Sequence, residues 1–193
     1  MANKISLRSG CSAIPEESIA HLDKDLIYQS GVVDPSTHWA VTEQTPQARA
    51  VNVAIGEGFF VKTGMTYHGY STAVNSVSVS ANSSGNPRVD AIVAYVDLSA
   101  SAGTDATNVL KFACVAGTPA SSPVIPDNTA ILSAIGAGNP YIILASVAVA
   151  NGASVIATAN ISDLRPSAYV KIPAGIYQTL LIDASVKTSK MSK

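Results

Sequence analysis

The chain predicts an all-β fold: a β-sandwich of about eight short antiparallel strands, with an N-terminal arm containing a short helix and a C-terminal extension. Three observations carry this. After residue 50 the apolar positions fall into a period of two, as in Val51, Val53 and Ile55 against Asn52 and Ala54, which marks strands with one packed and one wet face. Turn residues punctuate the pattern, as in Ser84-Gly85-Asn86-Pro87 and Asn151-Gly152. Of the 193 residues, 47% are apolar but only 6% aromatic, so the core is built of small and β-branched side chains that suit close-packed sheets better than deep cavities.

Shifts in composition divide the chain into an arm (1–47), a β body (48–166) and a tail (167–193). In the arm, Ser12 is placed to cap a short helix, with Pro15 in its first turn and Glu16 and Glu17 at its positive end. Ile19, Leu22 and Leu26 follow at helical spacing, Gly31 ends the segment, and Asp34-Pro35-Ser36-Thr37 makes a turn. Such an arm cannot build a core of its own and must lie on the body or on another chain.

In the body, Gly56-Glu57-Gly58 reads as a hairpin turn, and 59–61 and 65–70 as strands separated by Lys62-Thr63-Gly64. Val77 and Val79 alternate with Ser76, Ser78 and Ser80. A long strand over 89–96 is expected to pair with 109–115 across a loop at Gly103-Thr104-Asp105. The stretch 128–135 is the one helical candidate of the body, capped by Asp127 and ended by Gly136. Strands over 142–149 and 154–161 then form a hairpin across Asn151-Gly152, a dipeptide that tolerates positive φ.

Charge narrows the function classes. Net charge is −1 and no basic face is clustered, so nucleic acid is not an expected partner. Lys187, Lys190 and Lys193 read as a solvated tail. No apolar run is long enough to span a bilayer, and no basic stretch followed by an apolar one opens the chain. A membrane partner is therefore not expected, and folding is expected in a cytoplasm. Charged residues are 13%, about half the usual share, which often accompanies packing against neighbours. Cys11 and Cys114 could form a single disulfide, but proximity is not readable from sequence. Cys114, in an apolar strand, reads as a buried, inert thiol.

Catalysis by a nucleophile needs a base and an orienting group beside it. No Gly-x-Ser-x-Gly elbow is present, and His21, His38 and His68 are the only imidazole bases. His68 reads as a surface or packed histidine of a strand, and His38, beside Trp39, as an interface or loop residue. His21 and Asp25 stand one helical turn apart, a spacing ordinary on a solvated helix face. There is no His-x-x-x-His, Cys-x-x-Cys or EF-hand loop. The expectation is no enzyme, no metal and no cofactor.

Several stretches carry a resemblance. They are Gly31-Val32-Val33, the run 51–61, Asn86-Pro87-Arg88-Val89-Asp90-Ala91-Ile92-Val93, the Pro-rich Gly117-Thr118-Pro119-Ala120-Ser121-Ser122-Pro123, Leu144-Ala145-Ser146-Val147-Ala148-Val149 and Ile161-Ser162-Asp163-Leu164-Arg165. In this order they resemble the N-terminal domain of tailed-bacteriophage baseplate and tail-fibre proteins, the group that includes upper baseplate proteins of siphophages. The resemblance covers well over half the chain. It implies a non-enzymatic β-sandwich that attaches a fibre or receptor-binding element to a virion, commonly as a trimer. Only about 28 residues follow Arg165, so a distal receptor-binding domain on the same chain is not expected. An adaptor, plug or decoration role is favoured instead.

The partners expected from this reading are other virion proteins of the tail, baseplate, fibre or capsid, together with further copies of the chain. A capsid decoration or head-fibre protein is the second reading. A carbohydrate-binding module is the third, and would need a row of exposed aromatics or paired acids. Tyr67, Tyr70 and Tyr95 are its candidates, with alternation placing Tyr67 and Tyr70 on opposite faces. Interface candidates are Trp39, expected to bury against a neighbouring subunit, and Leu22 and Leu26, with Ile14, Ile19, Ile176, Leu180 and Leu181 adding contact area. Arg88 and Asp90 share one strand face, as do Asp163 and Arg165. A cross-sheet pair, Arg88–Asp163 or Asp90–Arg165, would fix strand register more than it would add net stability. Four exposed charges of little energetic weight are the alternative.

Overall fold

A computed structural model describes residues 27–62, 65–99 and 109–170. Among them are twelve strands and one α-helix. The strands are β1 (Ile27–Gln29), β2 (Gly31–Val32), β3 (Val41–Glu43), β4 (Ala50–Val53), β5 (Gly56–Lys62) and β6 (Met65–Ser71). β7 (Asn75–Ser78), β8 (Arg88–Val96), β9 (Leu110–Val115), β10 (Tyr141–Val149), β11 (Ile161–Asp163) and β12 (Tyr169–Val170) follow, with α1 (Asn128–Ile135) between β9 and β10. They form antiparallel sheets in the orders β11-β10-β8-β9, β2-β5-β6, β3-β4-β7 and β1-β12. The fold is all-β and sandwich-like with one short helix, as the alternation predicts.

The four-stranded sheet is the centre of the molecule, because apolar groups cover both of its faces. On one face Ile92, Ala94 and Val96 of β8 join Ile142, Leu144 and Val147 of β10 in a core shared with Val51, Val53, Phe60 and Val77 of the two three-stranded sheets. On the other face Ala91 and Val93 pack against Ile131 and Ile135 of α1. This is why β8 reads as a continuous apolar run while the outer strands alternate. Register shifts between Ile143 and Ala145, and this irregularity lets both Leu144 and Ala145 face the first core.

The helix keeps its expected bounds because its signals are local. The Asp127 carboxylate accepts from the backbone N–H of Ala130 at 2.8 Å, and Gly136, at φ 104°, ends it with its N–H bonded to the Leu132 carbonyl. The pairing of β8 with β9 and the turn begun by Asp34 also stand as expected.

Other expectations are corrected. Gly56-Glu57-Gly58 is not a turn: it opens β5, with Glu57 opposite Tyr70. The final hairpin is not built from 154–161. A short 3-10 turn (Thr158–Asn160) intervenes, held by the Asn160 side chain on the Ala157 N–H, and only Ile161–Asp163 pairs with β10. Gly31 does not end a helix but starts β2, opposite Phe59. The described β body therefore reaches back to Ile27 and on to Val170, past the expected bounds of arm and tail, because β1 pairs with β12. The expected arm helix, with Leu22, Leu26, His21, Asp25 and Cys11, lies outside the described residues, as do the 103–105 loop and residues 171–193.

Candidate functional site

The charged residues singled out from sequence form two polar junctions, neither of them cross-sheet. Arg88 and Asp90 point to the same side of β8, close enough for the long arginine to fold back on its own strand. Arg88 Nε donates to Asp90 Oδ1 at 2.8 Å and Nη2 to Oδ2 at 3.0 Å. The remaining guanidinium N–H groups reach the Ala81 carbonyl (2.9 Å), the Ser80 carbonyl (2.7 Å) and Ser80 Oγ (2.7 Å). Asp90 Oδ1 also accepts from the Gly117 N–H at 3.0 Å, and the Cys114 thiol lies 3.7 Å from Oδ2. The two side chains are 7% and 0% exposed.

Hydrogen bonding to Asp90 holds the Arg88 guanidinium above its ordinary pKa. Burial first, and then the Asp90 charge, push the Cys114 thiol up to about 12. Gly117 is obligatory here: a Cβ at that position would lie 2.0 Å from the Val89 carbonyl oxygen. Nearby, buried Asn82 donates to the Asn86 and Val149 carbonyls. The 80–87 loop, β8, the end of β10 and the Pro-rich connector are thus tied into one knot. The expected pairs Arg88–Asp163 and Asp90–Arg165 do not form, because residues two apart on one strand are already close enough to pair.

Asp163 and Arg165 likewise pair with each other, at 2.9 and 2.7 Å, and Arg165 Nη1 donates to the His38 carbonyl at 2.6 Å. The hydrogen bond from Arg165 holds the Asp163 carboxyl below its usual range. This junction ties the segment after β11 to the loop that carries Trp39.

Trp39 is not on a surface awaiting a partner, as the sequence reading had it. It is fully buried in its own core, with its ring 5.9 Å from Phe60 and 5.6 Å from Phe112. Its indole N–H donates to Ser71 Oγ at 3.1 Å. The backbone at Trp39 is left-handed, φ 52°, a conformation that costs a bulky residue free energy and persists only where packing imposes it. Gly58 makes room for the indole: a Cβ there would stand 2.7 Å from the ring.

Outside this buried region, the β5–β6 hairpin turns Glu57 and Phe59, with His68 and Tyr70, to its outer face, alternating with buried Gly58, Phe60 and Gly69. Thr66, at the far end of the same side of β6, is buried. His68 Nε2 lies 3.0 Å from Glu57 Oε2, both side chains 40% exposed. The His68 ring stacks on Phe59 at 4.8 Å and lies 6.2 Å from Tyr70. Tyr70 is 67% exposed. Beside it lies an open groove of about 530 Å³ that also contacts His38, Ile55 and Ser71. Tyr67, as alternation requires, faces inward against the core, and Tyr95 is half-buried against the second core. A second depression, of about 370 Å³ between Lys62, Asp97 and Asn139, holds an aspartate already bonded to Lys111 at 2.6 Å.

The outer-face row escaped the sequence reading because Glu57 was assigned to a turn. No local signal marks it, since Phe59-Phe60-Val61 is apolar without alternation. Among the described residues no group of three or more His, Cys, Asp or Glu could hold a metal ion, and no helix is long and apolar enough to cross a membrane. No family model, curated protein or solved structure matches the chain.

Proposed function

We propose that the chain is a non-enzymatic structural protein of a bacteriophage virion. It attaches or bridges components at the tail, baseplate or fibre base, and acts as a homo-oligomer, a trimer by resemblance. The observation that carries this reading is the Arg88–Asp90 junction. The strand and the Pro-rich connector that suggest the family meet there, and each guanidinium nitrogen and both carboxylate oxygens hold loops and strands. A fully paired, dry ion pair of this kind positions backbone and leaves no group to move a proton. Strong polar groups used to fix two connections at one end of a sheet suit a part whose work is to present a rigid surface.

The test is to locate the protein in virions by antibody labelling and electron microscopy, and to weigh the purified full chain in solution by light scattering. Label at the tail tip or fibre base, with a mass near three chains, supports the reading. Label on the capsid moves the protein to the decoration class. Absence from purified virions overturns it.

A further inference from the structure

We propose that the outer face of the β5–β6 hairpin, with the adjoining groove, binds a neutral saccharide. This goes beyond the structural role and stands without it. The first observation is the row itself. Glu57 and Tyr70 are cross-strand partners, as are Phe59 and His68, so a carboxylate, an imidazole and a broad exposed ring share one flat, water-facing surface. The Tyr70 ring, 67% exposed, is a platform for the C–H face of a pyranose, since aromatic faces carry partial negative charge and sugar C–H groups partial positive charge. Phe59 and Glu57 hold His68 by stacking at 4.8 Å and by a contact at 3.0 Å, so the surface beside Tyr70 is already ordered before a ligand arrives.

The second observation is the polar equipment. Glu57 uses Oε2 on His68, and its Oε1 has no partner among the described residues, leaving it to accept sugar hydroxyls. His38 Nδ1 faces the Glu57 N–H at 3.4 Å, and with Nδ1 accepting, the neutral ring keeps its proton on Nε2 as a donor. Thr72 and Ser71 line the same groove. Hydrogen-bond donors and acceptors beside one aromatic face are what a polyhydroxylated ligand needs.

Charge and size select the occupant. The lining includes a carboxylate and, among the described residues, no lysine or arginine, which favours neutral hexoses or N-acetylhexosamines over uronic and sialic acids. The groove, about 530 Å³, lies in the range of small-ligand sites. Among the described residues, Ile55 and Tyr70 are the only large apolar side chains in its lining. A stable protein interface buries about 800 Å² on each partner around a desolvated apolar centre, which two such side chains do not provide.

The structure also supplies a reporter. Trp39 is the only tryptophan, and its indole N–H bonds to Ser71 on the groove wall. The experiment screens the full chain on an array of neutral and acidic glycans. Emission from Trp39 is then titrated with glucose, galactose, N-acetylglucosamine and their oligomers, with glucuronic and N-acetylneuraminic acids as the acidic set.

The expected result is binding of one neutral class, with Kd on the order of 1 mM for a monosaccharide, accompanied by a shift in Trp39 emission. Tyr70→Ala should weaken this at least tenfold and Glu57→Gln severalfold. Tyr70→Phe should retain it, and Val124→Ala, at an exposed site elsewhere, should leave it unchanged. Thermal melts of the variants establish that they are folded. No neutral glycan bound, a preference for acidic glycans, or binding that survives Tyr70→Ala in a folded protein each overturns the site. A Tyr70→Ala variant that changes the mass in solution while the parent binds no sugar overturns it too, and assigns the face to a protein contact.

Discussion

Two polar pairs on neighbouring sheets show how burial decides what a polar group is for. Arg88–Asp90 is shielded from water, 7% and 0% exposed, and its partners among the described residues are parts of the scaffold. Glu57–His68 has a similar separation, 3.0 Å, but both side chains are 40% exposed, with a groove next to them. The first pair lies where both sides of the sheet are covered, so its members must satisfy each other or pay desolvation in full. The second lies on a wet face, where water screens the attraction and the groups remain available to a ligand. The same short-range chemistry yields a structural knot in one place and a recognition surface in the other.

The comparison breaks most easily at Asp90. Asp90→Ala strands a buried guanidinium and the Gly117 N–H, and is expected to cost about 3–5 kcal/mol, read as a lowered midpoint in urea unfolding. Replacing both members by apolar residues sharpens the point. In many proteins such a swap is neutral or stabilising. Here it leaves the Gly117 N–H without its acceptor and unties the exposed 80–81 segment from β8, so Arg88→Met with Asp90→Leu should remain clearly destabilised. A double variant as stable as the parent would show that the knot is no more than an ion pair.

Next in size is Gly117→Ala. The added Cβ would fall on the Val89 carbonyl oxygen, so the connector must move off β8 and loosen its bond to Asp90. A loss of about 1–3 kcal/mol is expected, with faster proteolysis at the 117–123 connector. An unchanged melting temperature would mean that the connector is not tightly seated.

Cys114 reports on the same region through pH. Its folded pKa, about 12, lies above the ordinary thiol value of 9.0, so between these values the unfolded chain ionises while the folded chain stays protonated. The stability contributed by the neutral thiol is therefore complete below about pH 9 and falls as pH rises toward 12. In a Cys11→Ser background, Cys114 should react with iodoacetamide far more slowly in the native than in the urea-unfolded protein at pH 8.5. Cys114→Ala should flatten the alkaline loss of stability. Equal native and unfolded rates would refute the sheltered thiol.

These contrasts also explain which features were legible in the sequence. The bounds of α1 were, because Asp127 and Gly136 act within a few residues of the helix they delimit. The β8–β9 pairing was, because 91–96 is an unbroken apolar run and 110–115 is apolar at every position but Lys111. The face shared by Arg88 and Asp90 was legible, but the partner was not, since alternation gives the side of a strand and says nothing of which strand lies opposite. Glu57 was misplaced because Gly56 and Gly58 suggest a turn. Their real cause is the close passage of His38 and Trp39, a tertiary contact with no local signature. Trp39 itself was expected at a neighbour's surface, and only the left-handed turn that carries it back into the core shows otherwise.

The smallest effect belongs to the exposed pair, and it separates stability from recognition. Glu57→Gln removes a carboxylate whose contact with His68 is shared with water. In a double-mutant cycle with His68→Ala the coupling should be no more than about 0–1 kcal/mol, and under conditions where His68 is protonated it should shrink further as salt is raised from 0.05 to 0.5 M, since exposed pairs are screened over about 10 Å at 0.1 M. The Phe59–His68 stack survives Glu57→Gln, so the row keeps its shape while losing the oxygen that accepts from a sugar. A coupling above 2 kcal/mol, insensitive to salt, would place Glu57 with Asp90 among the scaffold charges. A small coupling joined to a clear loss of saccharide binding would show that the two pairs differ in purpose because they differ in exposure to water.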